Sequence, residues 1–186
     1  MDHSVAEALF SFSQRYLAAW QAAGYALPQD DQLSGYASPC VVRDSGQDVS
    51  WQPIVREASA DFSNVEAGIE LQLDSSITQF YGSQYAADMS ATFGDIELLL
   101  LQVWSDEDLP QLQENILGHL VMQRQLKLKP TVFIGALATE QQLISVCNLT
   151  GEVLLETLGQ AGERQVLADN LTAFLDALTP VVVEGQ

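Results

Sequence analysis

Gly94 and Asp95 interrupt a run of alternating apolar residues, and that interruption dictates how the middle of the chain folds. Glycine in the first of two loop positions is what a type II′ hairpin turn demands, because φ is positive there. With Gly94 and Asp95 as the loop, Phe93 faces Ile96, Thr92 faces Glu97, Ala91 faces Leu98 and Met89 faces Leu100. Side chains alternate across a strand. One face then carries Met89, Ala91, Phe93, Ile96, Leu98 and Leu100, and is expected to be core. The other carries Asp88, Ser90, Thr92 and Glu97, then Leu99 and Leu101. A slip of one residue would bury Glu97, so turn and pattern support the same register. The acidic end of the outer face is either a solvated surface or the floor of an acidic groove.

After the hairpin, Ser105 is expected to cap a helix. Asp106, Glu107 and Asp108 suit its positive start, and Pro110 is tolerated in its first turn. Leu109, Leu112, Ile116 and Leu120 follow at helical spacing. Arg124, Lys127 and Lys129 suit the negative end, and Pro130 stops the helix. Thr131 to Ile134 reads as a buried strand.

Elsewhere, Ser4 with Glu7 forms a capping box for a first helix. Its apolar stripe is Leu9, Phe12, Tyr16, Leu17 and Trp20, and Gly24 ends it. Tyr25 to Ala60 is rich in Pro, Gly, Ser and Asp and is expected to be mostly loop. Short extended pieces are expected at Cys40 to Val42 and around Trp51. Short helices are expected from about Asn64 to Leu71 and from Ser76 to Gly82. Leu143 to Cys147 reads as a strand, which Gly151 turns into Val153 to Leu155. A last helix is predicted from Leu167, Leu171, Phe174 and Leu178, closed by Pro180. The expected fold is α+β (α/β in the broad sense). It has a mixed, largely antiparallel sheet with helices packed on one face, in one domain over residues 1–186.

Charge narrows the function classes. Seven Lys and Arg stand against 25 Asp and Glu, a net charge of −18. Such a field repels nucleic acid and anionic lipid and attracts basic partners. Solubility alone, or a high-salt habitat, would also account for it. The longest apolar run, Leu98 to Leu101, is too short to span a bilayer. The N-terminal stretch lacks the basic start of a signal peptide, so a cytosolic protein is expected.

Catalytic motifs are absent. His3 and His119 are the only histidines, and Cys40 and Cys147 the only cysteines. His119 sits mid-helix beside Leu120 and reads as a helix-face or core residue. The cysteines read as buried thiols. A zinc site needs more ligands than these. Asp106 to Asp108 lack the alternating spacing and glycine of a calcium loop. There is no nucleophile elbow, phosphate-binding loop or dinucleotide fingerprint. No pattern singles out a carboxylate pair such as Asp88 with Glu97 for acid–base work. The chain is expected to be non-enzymatic, with no metal and no cofactor.

Several segments are distinctive. They are SPC (Ser38 to Cys40), WQP (Trp51 to Pro53), QFYGSQYAADM (Gln79 to Met89) and FGDIELLLLQVWSDEDL (Phe93 to Leu109). QENILGHLVMQRQLKLKPTVFI (Gln113 to Ile134) and ISVCNLTGEV (Ile144 to Val153) complete the set. Together they resemble the Syd family, the SecY-interacting proteins of gammaproteobacteria. Syd is similar to the SUKH superfamily, which includes immunity proteins against bacterial toxins. Asp44 to Ser63 and Gly159 to Gln165 are least similar.

The resemblance implies an α/β fold with an electronegative concave surface. It implies a cytosolic protein, peripheral at the cytoplasmic side of the inner membrane, that binds the cytoplasmic loops of SecY and checks abnormal or uncomplexed SecY. The alternative it carries is an immunity-like protein that neutralises a basic toxin. Cytoplasmic loops of membrane proteins are rich in Lys and Arg, which suits an acidic partner. The acids expected to line the binding surface are Asp88, Asp95, Glu97, Asp106, Glu107, Asp108 and Glu114. Glu140 and Glu156 are expected elsewhere on the surface. No nucleic acid, no direct lipid insertion and a monomer are expected.

Overall fold

A computed structural model describes residues 3–139, 141–158 and 164–184. In chain order the elements are α1 (Val5–Ala22), β1 (Gln29–Asp30), β2 (Val41–Asp44), β3 (Val49–Trp51), β4 (Ile54–Val55), α2 (Ser63–Ile69) and α3 (Ser75–Gly82). Then come β5 (Gln84–Tyr85), β6 (Met89–Phe93), β7 (Ile96–Leu100), α4 (Leu109–Gln125), β8 (Thr131–Ala136), β9 (Gln142–Cys147), β10 (Val153–Thr157), β11 (Arg164–Ala168), α5 (Leu171–Ala177) and β12 (Thr179–Pro180). The main sheet has the order β11-β10-β9-β8-β7-β6-β12, and its pairs are antiparallel. The fold is therefore α+β.

The hairpin of β6 and β7 has the expected register, with Phe93 opposite Ile96 and Met89 opposite Leu100. Gly94 has φ +57°, and Asp95 is not among the residues of positive φ, as a type II′ turn requires. Met89, Ala91, Leu98 and Leu100 are buried, while Asp88, Glu97 and Leu99 on the other face are exposed. Alternation and turn chemistry act on the same few residues, so this register is decided locally.

The first helix is capped as its sequence predicts. The N–H of Glu7 donates to Ser4 Oγ at 3.1 Å, and Gly24 follows the helix with φ +100°. Its buried stripe packs against α5, α3 and β12. Arg15 ties α1 to α5. Its guanidinium donates to the carbonyl oxygens of Leu178 and Leu175, at the end of α5, at 2.6 and 3.0 Å.

Four expectations need correction. Ser105 does not cap α4. Its Oγ donates to Asp108 Oδ2 at 3.1 Å within a turn, and the helix begins one turn later, after Asp108. Leu167 lies on β11, and the last helix starts at Leu171 behind Asn170, whose Oδ1 accepts from the N–H of Ala173. The spacing of Leu167 to Leu171 matches a helical turn by coincidence. Residues 25–60 are mostly loop and hold β2 and β3 at the two extended pieces expected, but they also hold two strands not expected, β1, which pairs with β3, and β4, which pairs with β5. Strands of two to four residues are too short to leave a periodic signature.

The fourth correction concerns Glu156, which is 3% exposed and not on the surface. Its Oε2 accepts from the Thr131 hydroxyl at 2.8 Å, and Arg164 lies 3.7 Å from its other oxygen. Gln123 of α4 closes the network. Its amide donates to Thr131 Oγ1 at 2.6 Å, and its oxygen accepts from the Thr131 N–H at 2.9 Å. A charge is tolerated here because partners satisfy it. Glu140 lies outside the described residues.

Candidate partner-binding recess

The outer face of the hairpin opens onto a recess of about 340 Å³. Three elements bring one carboxylate each. Asp88 stands just before β6, Asp108 at the start of α4, and Asp30 on β1. The walls include the aromatic rings of Tyr16, Trp20 and Trp104, with the amides of Gln29, Gln32 and Gln102 between them. Among the described residues no Lys, Arg or His lines it.

The electrostatics follow from this crowding. Asp88 has solvent on one side, so its surface counts as exposed, yet it sits within a concavity surrounded by protein atoms. Desolvation by those atoms is the main reason its carboxyl is pushed up to about 6, and the charges of Asp30 and Asp108 add to it. The backbone N–H of Gln102 donates to its Oδ1 at 2.7 Å and opposes the rise. Burial also raises Asp30, against the pull of the Gln32 N–H on its Oδ1 at 2.8 Å. Mutual repulsion and partial dehydration make the recess an unfavourable place for negative charge. A positive side chain there would offset the repulsion and compensate the lost hydration with an ion pair.

A second trough of about 470 Å³ adjoins the recess and shares Ser90, Leu99 and Val183 with it. Glu97 lines this trough, beside Ala136 and Ala138. Recess and trough form a continuous concave strip over the outer face of β6 and β7, acidic at one end and aliphatic along its length.

Of the acids expected at the site, the structure therefore brings Asp88 and Asp108 into the recess and Glu97 into the trough. The other four line neither cavity. Asp95 is exposed at the hairpin turn, Glu107 before α4, and Glu114 on α4. Asp106 is held by Arg56 at 2.9 Å and by the Tyr85 hydroxyl at 2.7 Å. The Tyr85 hydroxyl, then Arg56, hold its carboxyl below the usual range. The guanidinium of Arg56 also stacks on the Tyr85 ring at 4.5 Å. Asp30 is not among the expected acids. Its only sequence signal is membership of an acidic pair in a segment that reads as loop, and nothing local ties it to Asp88.

The fold is thus that of an α+β protein with an acidic recess beside its antiparallel sheet, lined by no cation among the described residues. The chain belongs to the Syd protein family (SUKH-2), whose model matches residues 6–180. It is 54% identical to Protein Syd of Photobacterium profundum over 185 residues, covering all of both chains. It is 51% identical to Protein Syd of Aliivibrio fischeri over 182 residues, 98% of this chain and 99% of the relative. It is 47% identical to Protein Syd of Klebsiella pneumoniae over 182 residues, 98% of this chain and the whole relative. Among the described residues no helix is long and apolar enough to cross a membrane.

Proposed function

We propose that the chain acts as a single binding domain that holds basic cytoplasmic loops of the translocon subunit SecY in the acidic recess. It would thereby sequester uncomplexed or abnormal SecY and restrain translocation at the cytoplasmic face of the inner membrane. The observation that carries the proposal is the convergence of Asp30, Asp88 and Asp108 in one recess with no cation beside them among the described residues. Membership of the Syd family and the net charge of −18 support it. Opposite fields speed encounter and orient docking, while the desolvated carboxylates supply the specific contact. The test is sedimentation with membranes that contain or lack SecY, at low and physiological salt. Binding that requires SecY and weakens with salt supports the proposal. Equal binding to SecY-free membranes would overturn it.

A second reading follows from the SUKH-2 description of the matching family. The same recess would suit a basic bacterial toxin, and the chain would then be an immunity-type protein. A toxin gene beside its own, and protection of cells expressing that toxin, would favour this reading.

A further inference from the structure

The cations of this chain are unevenly distributed. Only seven are present among 25 acids, so most would be expected to find an acidic partner. Arg56 pairs with Asp106, and Arg15 is used on the carbonyls of α5. The chain's only two lysines, Lys127 and Lys129, are exposed and unpaired among the described residues. They flank the turn that follows α4, where Lys127 adopts φ +59°. Arg124 and Arg164 stand on either side, so four of the seven cations meet at one end of the molecule.

Two grooves meet there, of about 390 and 420 Å³, and share Lys127, Leu128 and Leu149. Exposed aliphatic side chains surround them. Leu149 is 61% exposed, Leu126 51% and Val166 49%. Val166 belongs to β11, an edge of the main sheet. Among the carboxylates, Glu152 lines one groove, and its Oε1 already accepts from the Thr150 hydroxyl at 3.0 Å. Glu156 is turned inward to Thr131 and Arg164.

We propose that these paired grooves are a second docking surface, for an acidic, aliphatic peptide segment of a protein partner. Charge complementarity selects acidic side chains for Lys127 and Lys129, and the exposed Leu149 and Val166 select aliphatic neighbours. An anionic lipid surface is disfavoured by two observations. The protein as a whole carries −18, and the cations line concave grooves instead of a flat or convex face. The surface lies at the far end of α4 from Asp108. The 17 residues of that helix separate the two by roughly 25 Å. One helix therefore holds apart two docking surfaces of opposite sign.

The test is chemical-shift mapping of the labelled full chain. The probes are a synthetic hexapeptide of alternating Glu and Leu, the same peptide with Lys for Glu, and phosphatidylglycerol vesicles. The expected result is movement of the Lys127, Lys129, Leu149 and Val166 amides with the Glu peptide alone, while Asp88 and Gln102 stay still. Lys127→Glu with Lys129→Glu should weaken that binding by about tenfold or more. Leu149→Glu, at an exposed position, serves as a second variant and should weaken it too. No movement with the Glu peptide, or unchanged affinity in both variants, overturns the proposal. So does movement with vesicles while the peptide is silent, which would make this a lipid-facing surface. Because Asp88 and Gln102 report separately, failure here is distinguishable from failure of the recess.

Discussion

Asp88 accepts a hydrogen bond from the backbone N–H of Gln102 at 2.7 Å, and this bond pins the carboxylate at the recess. Gln102 lies two residues beyond Leu100, which pairs with Met89 beside Asp88. The hairpin register therefore sets the geometry of this recess carboxylate. A carboxylate so held, yet desolvated and crowded by Asp30 and Asp108, favours its protonated form more in the folded chain than in the unfolded one.

Stability should depend on pH accordingly. The Asp88 carboxyl rises from 3.8 to about 6 on folding. The folded state binds the extra proton between those values, so this group's contribution is fully present below about pH 4 and is lost as pH rises towards 6. Asp88→Asn should remove that slope and leave the chain at least as stable at pH 7. Urea titrations of both proteins at pH 4, 5, 6 and 7 check it, and a steeper slope in the variant would contradict it.

Partner binding should run the other way. On the proposed function a cationic loop needs Asp88 ionised, so SecY binding should weaken as pH falls below 6. Sedimentation from pH 7.5 to 5.5 measures this, with Asp88→Asn as the variant expected to show weak binding and a flatter profile.

Charge placement can be separated from charge amount. Asp88→Lys with Asp108→Lys should abolish SecY binding, and Asp88→Lys with Glu97→Lys should do the same if the trough takes part. Glu107→Lys with Glu114→Lys changes net charge equally at exposed positions that line neither cavity. That control should retain binding at physiological salt. Equal loss in every pair would mean that bulk charge drives association.

The hairpin faces predict opposite responses to adjacent substitutions. Leu98 is 5% exposed and Glu97 is open to solvent. Leu98→Asp should cost more than about 4 kcal/mol, since it loses apolar burial and places an unpaired charge in the core. Glu97→Ile should change stability by less than about 1 kcal/mol. Denaturant melts of the two variants decide the assignment.

Glu156 should behave as an interior residue. Glu156→Leu leaves the Thr131 hydroxyl without its acceptor and Arg164 without its counter-charge, and should cost about 2–4 kcal/mol. Glu156→Gln keeps an oxygen for Thr131 and should cost clearly less. Urea unfolding of the pair measures the difference.

Much of the fold was legible in the residues themselves. Gly94 at a position of positive φ, strict alternation on either side and the Ser4 cap each act over a few neighbours, and each determined its element without outside help. Charge and composition likewise set the sign of the partner proposed for the chain. What the chain order could not determine was which acids meet. Asp30 and Asp88 are far apart in the chain, and they share a recess because β1 pairs with β3 and α1 lays Tyr16 and Trp20 against the same concavity. Glu156 reads as a polar strand residue, and only the closure of α4 over Thr131 makes it interior. The two lysines suit a helix end, while their junction with Arg164 depends on β11 returning to the edge of the sheet. Periodicity and capping are short-range properties of the backbone. Distances between elements are set by how whole faces pack, and those distances decided where the recess and the basic grooves lie.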